Sequence, residues 1–563
     1  MKKTAILFSL LFSLSLHAQN LDSLYQRFIY LVRPGQVSNI TGHQVTSDEV
    51  KEKCGFGLVN AIKQNLNSYD KVRRAEIQSL LQRPETDTSI VSPSGKFRIH
   101  FNTNNFPDYV PEDIRGGLSD TELSQYKRMY LDSLAVAADS SYNYEVNILG
   151  YPAPPVDYGE GGGNEIDIYI QNLGYPEYGY TEGDSLLTDS TYTTFIVMDD
   201  DFSNYYTKRI DAAKVTIAHE FHHTIQMGNY IFRLKDQFYH EITSVTMEEF
   251  VYDSINDYYY ELGNFMQFPQ KSFGTNSGYN LAIWNLFLSA EFNRDIIKRI
   301  WELMRDHERA LIANANAIAE KGSSFKIEFA KFGLWVYFTG SRAIPGKYFE
   351  EAADYPQLTP LVDMEFTKPQ TEVTVTTYPV STNYLYFNSS GSSVDTFVAV
   401  ISNCDLSNGI NHTISTARFT YTLSSDPGEN FRFVTDGYYS NLQSDKDFLF
   451  SETDILNYQP INNGAISSQE IDYVYPQPFR NSFDRFIYFP VSANQVGTAD
   501  LYIYSVDMNL IYSGQTQILV LDKNVVQWNC RDNSGAKLRT GVYLYVLKSG
   551  NDVKKGKFVV LND

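Results

Sequence analysis

Residues 211–227 run without proline or glycine and carry His219-Glu220-Phe221-His222-His223 at their centre. This segment constrains the fold more than any other. Val215, Ile217, Ala218 and Ile225 mark a helix bound for the interior, and that helix takes three histidines and a carboxylate in with it. Buried polar groups of this kind need partners. On a helix, positions i and i+4 stack on one face, so the imidazoles of His219 and His223 point at one place. Neutral imidazole nitrogens bind zinc at about 2.0–2.1 Å. Glu220 falls beside such a metal, where it can take a proton from a bound water whose pKa the metal lowers toward about 7. Only 9 histidines occur in the chain, and three of them sit in this motif. The bland alternative is a polar helix face with satisfied histidines.

A catalytic zinc needs a third protein ligand and keeps its fourth position open. Glu241, Glu248 and Glu249 are candidates, with His240 behind them. Glu241 is preferred: it lies 18 residues beyond His223, a separation that lets a turn and a second helix bring a glutamate back. Glu248, two helical turns further on, or Glu249 would then orient a ligand histidine. His222 does not share the ligand spacing and reads as a packed or hydrogen-bonded residue. Tyr258-Tyr259-Tyr260 could supply a hydroxyl to an oxyanion, but packing is the simpler role. Asp199-Asp200-Asp201, with Asp157 and Glu160, make calcium a second candidate cation. Their spacing matches no EF-hand loop, and a solvated turn accounts for them better. The strand Phe195–Met198 is a candidate edge for substrate binding by β-addition.

The 563 residues are too many for one core. A net charge of −21 argues against nucleic acid as a partner. Lys2 and Lys3, the apolar run Ala5–Leu16 and His17-Ala18-Gln19 form a secretory signal peptide over residues 1–19. No later stretch has the roughly 20 apolar residues of a membrane span, so an exported chain that is not an integral membrane protein is expected. Cys54, Cys404 and Cys530 are far apart and lack a CxxC spacing, which speaks against a thiolate metal site. Export permits one disulfide, with three possible pairings.

Residues 20–90 form a leading segment, either a pro-segment or a structural cap. It has helices near Leu58–Leu66 and Val72–Leu81 and ends in a linker at Arg83–Ser89. The motif-bearing domain follows over 91–350, with strands at Phe97–Phe101, Ile166–Ile170 and Phe195–Met198. Its helices fall at Leu123–Ala138, Asn280–Leu288, Ile296–Met304 and Ser323–Phe338. Beyond it, β-branched and aromatic runs separated by Ser, Asn and Gly turns give two β-sandwich modules, 351–470 and 471–563. The fold class is multidomain α+β.

Two resemblances sharpen this. Val215–Gln226 resembles a family of exported bacterial zinc metalloproteases with an H-E-F-x-H-x-I-Q signature. Glu241–Glu249 is similar to that family's E-G-T-A-x-W-M-E-[ED] segment, and Val251–Tyr258 to its V-Y-D-x-x-N-D-Y continuation. The likeness covers about 92–345. It departs at Ile242-Thr243-Ser244, where the family has Gly-Thr-Ala, and at Thr246, where it has Trp. It implies a zincin-like catalytic domain acting on a protein or peptide substrate. In that domain His219, His223 and Glu241 hold zinc and Glu220 is the catalytic acid/base. Separately, Tyr475–Phe479, Leu501–Tyr504, Trp528-Asn529, Gly535, Thr540–Tyr545 and Lys557–Leu561 resemble the immunoglobulin-like C-terminal sorting domain of type IX secretion cargo. That implies the type IX secretion machinery as a partner and a secreted, extracellular or cell-surface location. The rival functional reading is a surface adhesin or glycan-binding protein with an inactive zincin domain.

Overall fold

The structure is a computed structural model. It describes residues 21–33, 53–103, 112–173 and 176–388 except 189, 201 and 204. Further on it describes 396–406 except 405, 417–425, 431–436, 447–451, 459–461, 474, 477–481, 486–492, 497–520, 524–550 and 552–562. The signal peptide, Asp201 and Tyr475-Pro476 lie outside the described residues. The chain forms two compact units, Met1–Tyr260 and Glu261–Asp563.

The first unit is built on five strands: β1 (Thr88–Val91), β2 (Phe97–Phe101), β3 (Ile166–Gln171), β4 (Gly179–Leu186) and β5 (Tyr192–Asp199). Their order is β1-β2-β3-β5-β4. β2, β3 and β5 are parallel neighbours, and β1 and β4 run antiparallel at the two edges. Every residue from Thr193 to Asp199 is buried, as befits a strand covered on both faces. β5 is therefore interior, and the expected edge at Phe195–Met198 is corrected: the outermost strand is β4, bridged at its first residue by Cys54. The sequence hides this because Gly179, Gly183 and Asp184 are poor strand formers.

Helices cover both faces. On one, Tyr169, Tyr180, Phe195 and Val197 share a core with residues of the leading segment. That segment supplies α1 (residues 21–32), α2 (Phe56–Gln64) and α3 (Lys71–Leu80), through Phe28, Leu31, Leu58, Val59, Ile62 and Ile77. Full burial stabilises by about 1.5–3 kcal/mol for each such side chain, so the segment belongs to this unit's core. The linker expected at Arg83–Ser89 is not one: Arg83 is half-buried and paired with Asp157 and Asp184, and Thr88 already belongs to β1. Against the other face lie α4 (Asp120–Tyr142) and α5 (Arg209–Asn229). A Ser119/Glu122 capping box starts α4, satisfying N–H groups left open by the first turn. Helix α6 (Gln237–Val251) then folds back on α5.

In the second unit α7 (Ala282–Phe292), α8 (Asp295–Arg305), α9 (Ala310–Glu320) and α10 (Phe325–Tyr337) precede the β region. Tyr384 donates from Oη to the Gly333 carbonyl at 2.7 Å, and the Phe273 N–H donates to the Val380 carbonyl at 2.8 Å. These helices thus pack with the β region after them, whereas the sequence placed them in a 91–350 domain. Eight strands follow: β6 (Val362–Glu365), β7 (Gln370–Thr377), β8 (Ser381–Asn388), β9 (Thr396–Asn403), β10 (Ala417–Ser425), β11 (Phe431–Asp436), β12 (Asp447–Ser451) and β13 (Gln459–Ile461). They make a three-stranded sheet, β11-β10-β7, and a five-stranded one, β13-β12-β9-β8-β6. Val375, Tyr421 and Leu423 of the first meet Leu385, Phe387, Ala399 and Ile401 of the second in one core.

The last strands are β14 (Phe479–Arg480), β15 (Ile487–Pro490), β16 (Thr498–Ser505), β17 (Leu510–Val520), β18 (Asn524–Trp528), β19 (Gly541–Ser549) and β20 (Asp552–Leu561). They form one seven-stranded sheet, β14-β20-β19-β16-β17-β18-β15. It rolls over on itself: Phe489 in β15 lies 5.9 Å from Phe558 in β20. This differs from a sandwich of two separate sheets, because β17 is long enough to pair with β16 along one stretch and β18 along the next. Among the described residues no helix is long and apolar enough to cross a membrane.

Candidate metal centre

α5 and α6 cross so that three ligand atoms meet. His219 Nε2 lies 3.2 Å from His223 Nε2 and 3.2 Å from Glu241 Oε2, and His223 Nε2 lies 3.4 Å from the same oxygen. All three side chains are buried. A tetrahedral ion with bonds of about 2.0–2.1 Å requires donor separations of about 3.3–3.4 Å, so this triangle fits zinc. Glu241 Oε1, also buried, has no hydrogen-bond partner, as suits a carboxylate placed for a cation rather than for N–H donors.

The far sides of the ligands are held in turn. His219 Nδ1 meets Glu248 Oε1 at 2.7 Å, and His223 Nδ1 meets Gln226 Oε1 at 2.8 Å. Such contacts fix the tautomer that leaves Nε2 with its lone pair facing inward. Ser244 Oγ adds a contact to His223 Nδ1 at 3.2 Å. Gln226 is steadied by donating to the His240 carbonyl at 3.1 Å. Burial works against charge on His219, yet the Glu241 and Glu248 carboxylates outweigh it and raise the imidazole to about 9. Burial likewise opposes the charge on Glu241, but His223 and His219 hold it down at about 2. The pocket is thus built to hold positive charge between acceptors.

Glu220 projects toward β4, where Thr181 donates from Oγ1 to Glu220 Oε2 at 2.8 Å. Gly179 permits this closeness. A Cβ there would stand 2.8 Å from the Val197 carbonyl oxygen and 3.4 Å from Glu220 Cγ. A fourth metal-capable group arrives from the leading segment. Cys54, buried, brings a sulfur into the cluster, and its ligand atom and those of His219, His223 and Glu241 all lie within 4.8 Å of one another. This corrects the reading that spacing speaks against a thiolate ligand: the tertiary fold supplies what local spacing lacks. Burial, with Glu220 and Glu241 close by, pushes the thiol well above its ordinary value.

No family model and no curated protein matches this chain. It is similar in part to two solved structures from Porphyromonas gingivalis. One is PorZ, an essential surface component of that bacterium's type IX secretion system, at 15% identity over 30% of this chain and 29% of that chain, with a TM-score of 0.14. The other is dimeric latent PorU, at 13% identity over 36% and 19%, with a TM-score of 0.14. The chain spans less than a third of the length of either.

The remaining candidates separate. Glu248 sits behind His219, the place expected of a carboxylate that orients a ligand histidine. His240 Nδ1 faces Gln226 Oε1 at 3.0 Å, and burial together with His223 lowers it to about 3. His222 points away to Glu145 at 2.8 Å, and burial drives both toward their neutral forms. Tyr258 is buried against Tyr259, while Tyr260 is exposed beside Tyr206. Asp157 pairs with Arg83 at 2.7 Å, and Asp199 accepts from the Leu173 and Phe202 N–H groups at 2.9 and 3.3 Å. Among the described residues these acids form no second metal-capable group, so the calcium candidates are not brought together. None of the three cysteines is in a disulfide.

Proposed function

We propose that this protein is an exported zinc-dependent endopeptidase of zincin type. The convergence of His219, His223 and Glu241 at 3.2–3.4 Å on a buried helix pair carries the reading. The H-E-F-x-H-x-I-Q resemblance supports it. A bound zinc would supply a Lewis acid for the scissile carbonyl and lower the pKa of a nearby water. The chain's own part is positional. His219 and His223 would turn Nε2 toward such an ion because Glu248 and Gln226 hold their Nδ1 sides. Glu220, steadied by Thr181, accepts a proton and later returns it to the leaving amine. The β4 edge offers backbone groups to an extended peptide. Residues 471–563 serve as the type IX sorting domain, a reading that rests on their sequence resemblance.

Glu220→Gln should keep about one zinc per chain, by elemental analysis, while peptide cleavage falls by about 10²–10⁴-fold, the range of a lost acid/base. Full activity in that variant would end the proposal. A second reading, a closed and purely structural metal site in an adhesin, is favoured by one observation only, the Cys54 thiol in the cluster.

A further inference from the structure

We infer that Cys54 is the fourth ligand of the metal site and that residues 53–55, lying on the edge of β4, hold that site shut. The inference rests on the metallopeptidase reading and turns the one observation against it into a mechanism of latency.

Sites with four protein ligands are closed, and catalytic ones keep a position for water. Here the fourth group comes from a segment laid along the strand edge where a peptide would add. The Gly55 N–H donates to the Gly179 carbonyl at 2.9 Å, and the Tyr178 N–H donates to the Lys53 carbonyl at 2.8 Å. Cys54 thereby bridges Gly179 in parallel. Both flanks of the cysteine are pinned. Lys53 Nζ, buried, reaches Glu248 Oε2 at 2.6 Å and Asp257 Oδ2 at 2.5 Å. Tyr178 Oη donates to the other oxygen of Asp257 at 3.0 Å. On the opposite side the Phe56 ring lies flat on the His223 imidazole, centroids 3.9 Å apart. A Cβ at Gly55 would fall 2.7 Å from Leu31 Cδ2, so glycine lets the segment pass close to α1. The segment therefore does three things at once: it brings a sulfur to the ligand triangle, bridges the first residue of β4, and ties itself to Glu248, the carboxylate behind His219.

Metal ligands bind deprotonated, so coordination would release the thiol's proton to solvent. The closed state would then hold sulfur where an open site keeps water. In the open state the thiol would be protonated again and the fourth position left to water. Withdrawal of residues 53–55 from β4 is the activating event.

The test is X-ray absorption at the zinc edge on the zinc-loaded full chain, beside Cys54→Ser and Cys54→Ala. One sulfur at about 2.3 Å is expected in the unaltered protein. Both variants should lose it while keeping their zinc, and should cleave a mixed peptide library about tenfold faster or more. Bound zinc with no sulfur neighbour overturns this inference and leaves the peptidase reading standing. Sulfur coordination with no gain of cleavage in either variant overturns the latency and makes the site structural. Absence of zinc from all three proteins sinks the peptidase reading and this inference with it.

Discussion

Two buried charge clusters in the first unit differ in where their positive charge comes from. Around Arg83 the chain provides its own cation. The guanidinium contacts Asp167, reaches Asp157 at 2.7 Å and Asp184 at 2.9 Å, and His100 meets the second oxygen of Asp167 at 2.7 Å. Between α5 and α6 two imidazoles and a carboxylate converge with no basic side chain among them, and Lys53 sits outside the triangle, on the far oxygen of Glu248. Both clusters are costly to bury unpaired. The first closes its electrostatics with side chains and fastens a β1–β3–β4 corner. The second closes them with a proton on His219 or with an ion.

That contrast can be broken experimentally. Glu241→Ala in the Cys54→Ala background carries the largest expected effect: zinc content should drop from about one per chain to near zero, because two imidazoles alone leave the site short of ligands. Arg83→Met should do the reverse. It should leave zinc content unchanged but cost about 1–3 kcal/mol of stability in denaturant unfolding, since it leaves the buried Asp157 and Asp167 without their cation. Loss of zinc in Arg83→Met, or its retention when both Glu241 and Cys54 are Ala, would erase the distinction. A smaller effect is expected from Glu248→Gln, which keeps the ligands but loosens His219. Zinc affinity, by competition with a chelator, should weaken about 10–100-fold.

The finest discrimination is by pH. In metal-free protein the folded-state pKa of His219 is raised to about 9 from an ordinary 6.5. The stability it contributes is present in full below pH 6.5 and is lost as pH rises through 9. With zinc the sign reverses over acid pH, because the ion needs neutral imidazoles and displaces protons. Thermal melts of the two forms should therefore diverge as pH rises, the loaded one gaining while the metal-free one declines.

How much of this could be read without coordinates depends on how local each signal is. The motif helix, α4, α7, α8 and α10 follow from 3.6-residue periodicity. The strand Phe97–Phe101 follows from alternation, and the place of Glu241 on a second helix from a turn-sized separation. Each is a property of neighbouring residues. Arg83 reads as linker because Pro84 and a polar run surround it, whereas Asp157, Asp167 and Asp184, far off in sequence, hold it. β4 is written in glycines and acids, poor strand formers kept extended by pairing with β5. Cys54 has no companion cysteine near it; its meaning arises only when residues 53–55 are laid along β4. The rolled last sheet escaped for a related reason, since a strand's length does not tell which neighbours it will take.

The backbone bonds of residues 53–55 to the edge of β4 also set a clock. With His219, His223, Glu241 and Cys54 all buried, an ion held there would exchange as residues 53–55 peel away from Gly179. Exchange would then run at the pace of a local opening rather than of diffusion. The metal at hand while the chain folds would stay inside, so the supply in the folding compartment, more than relative affinity, would select it.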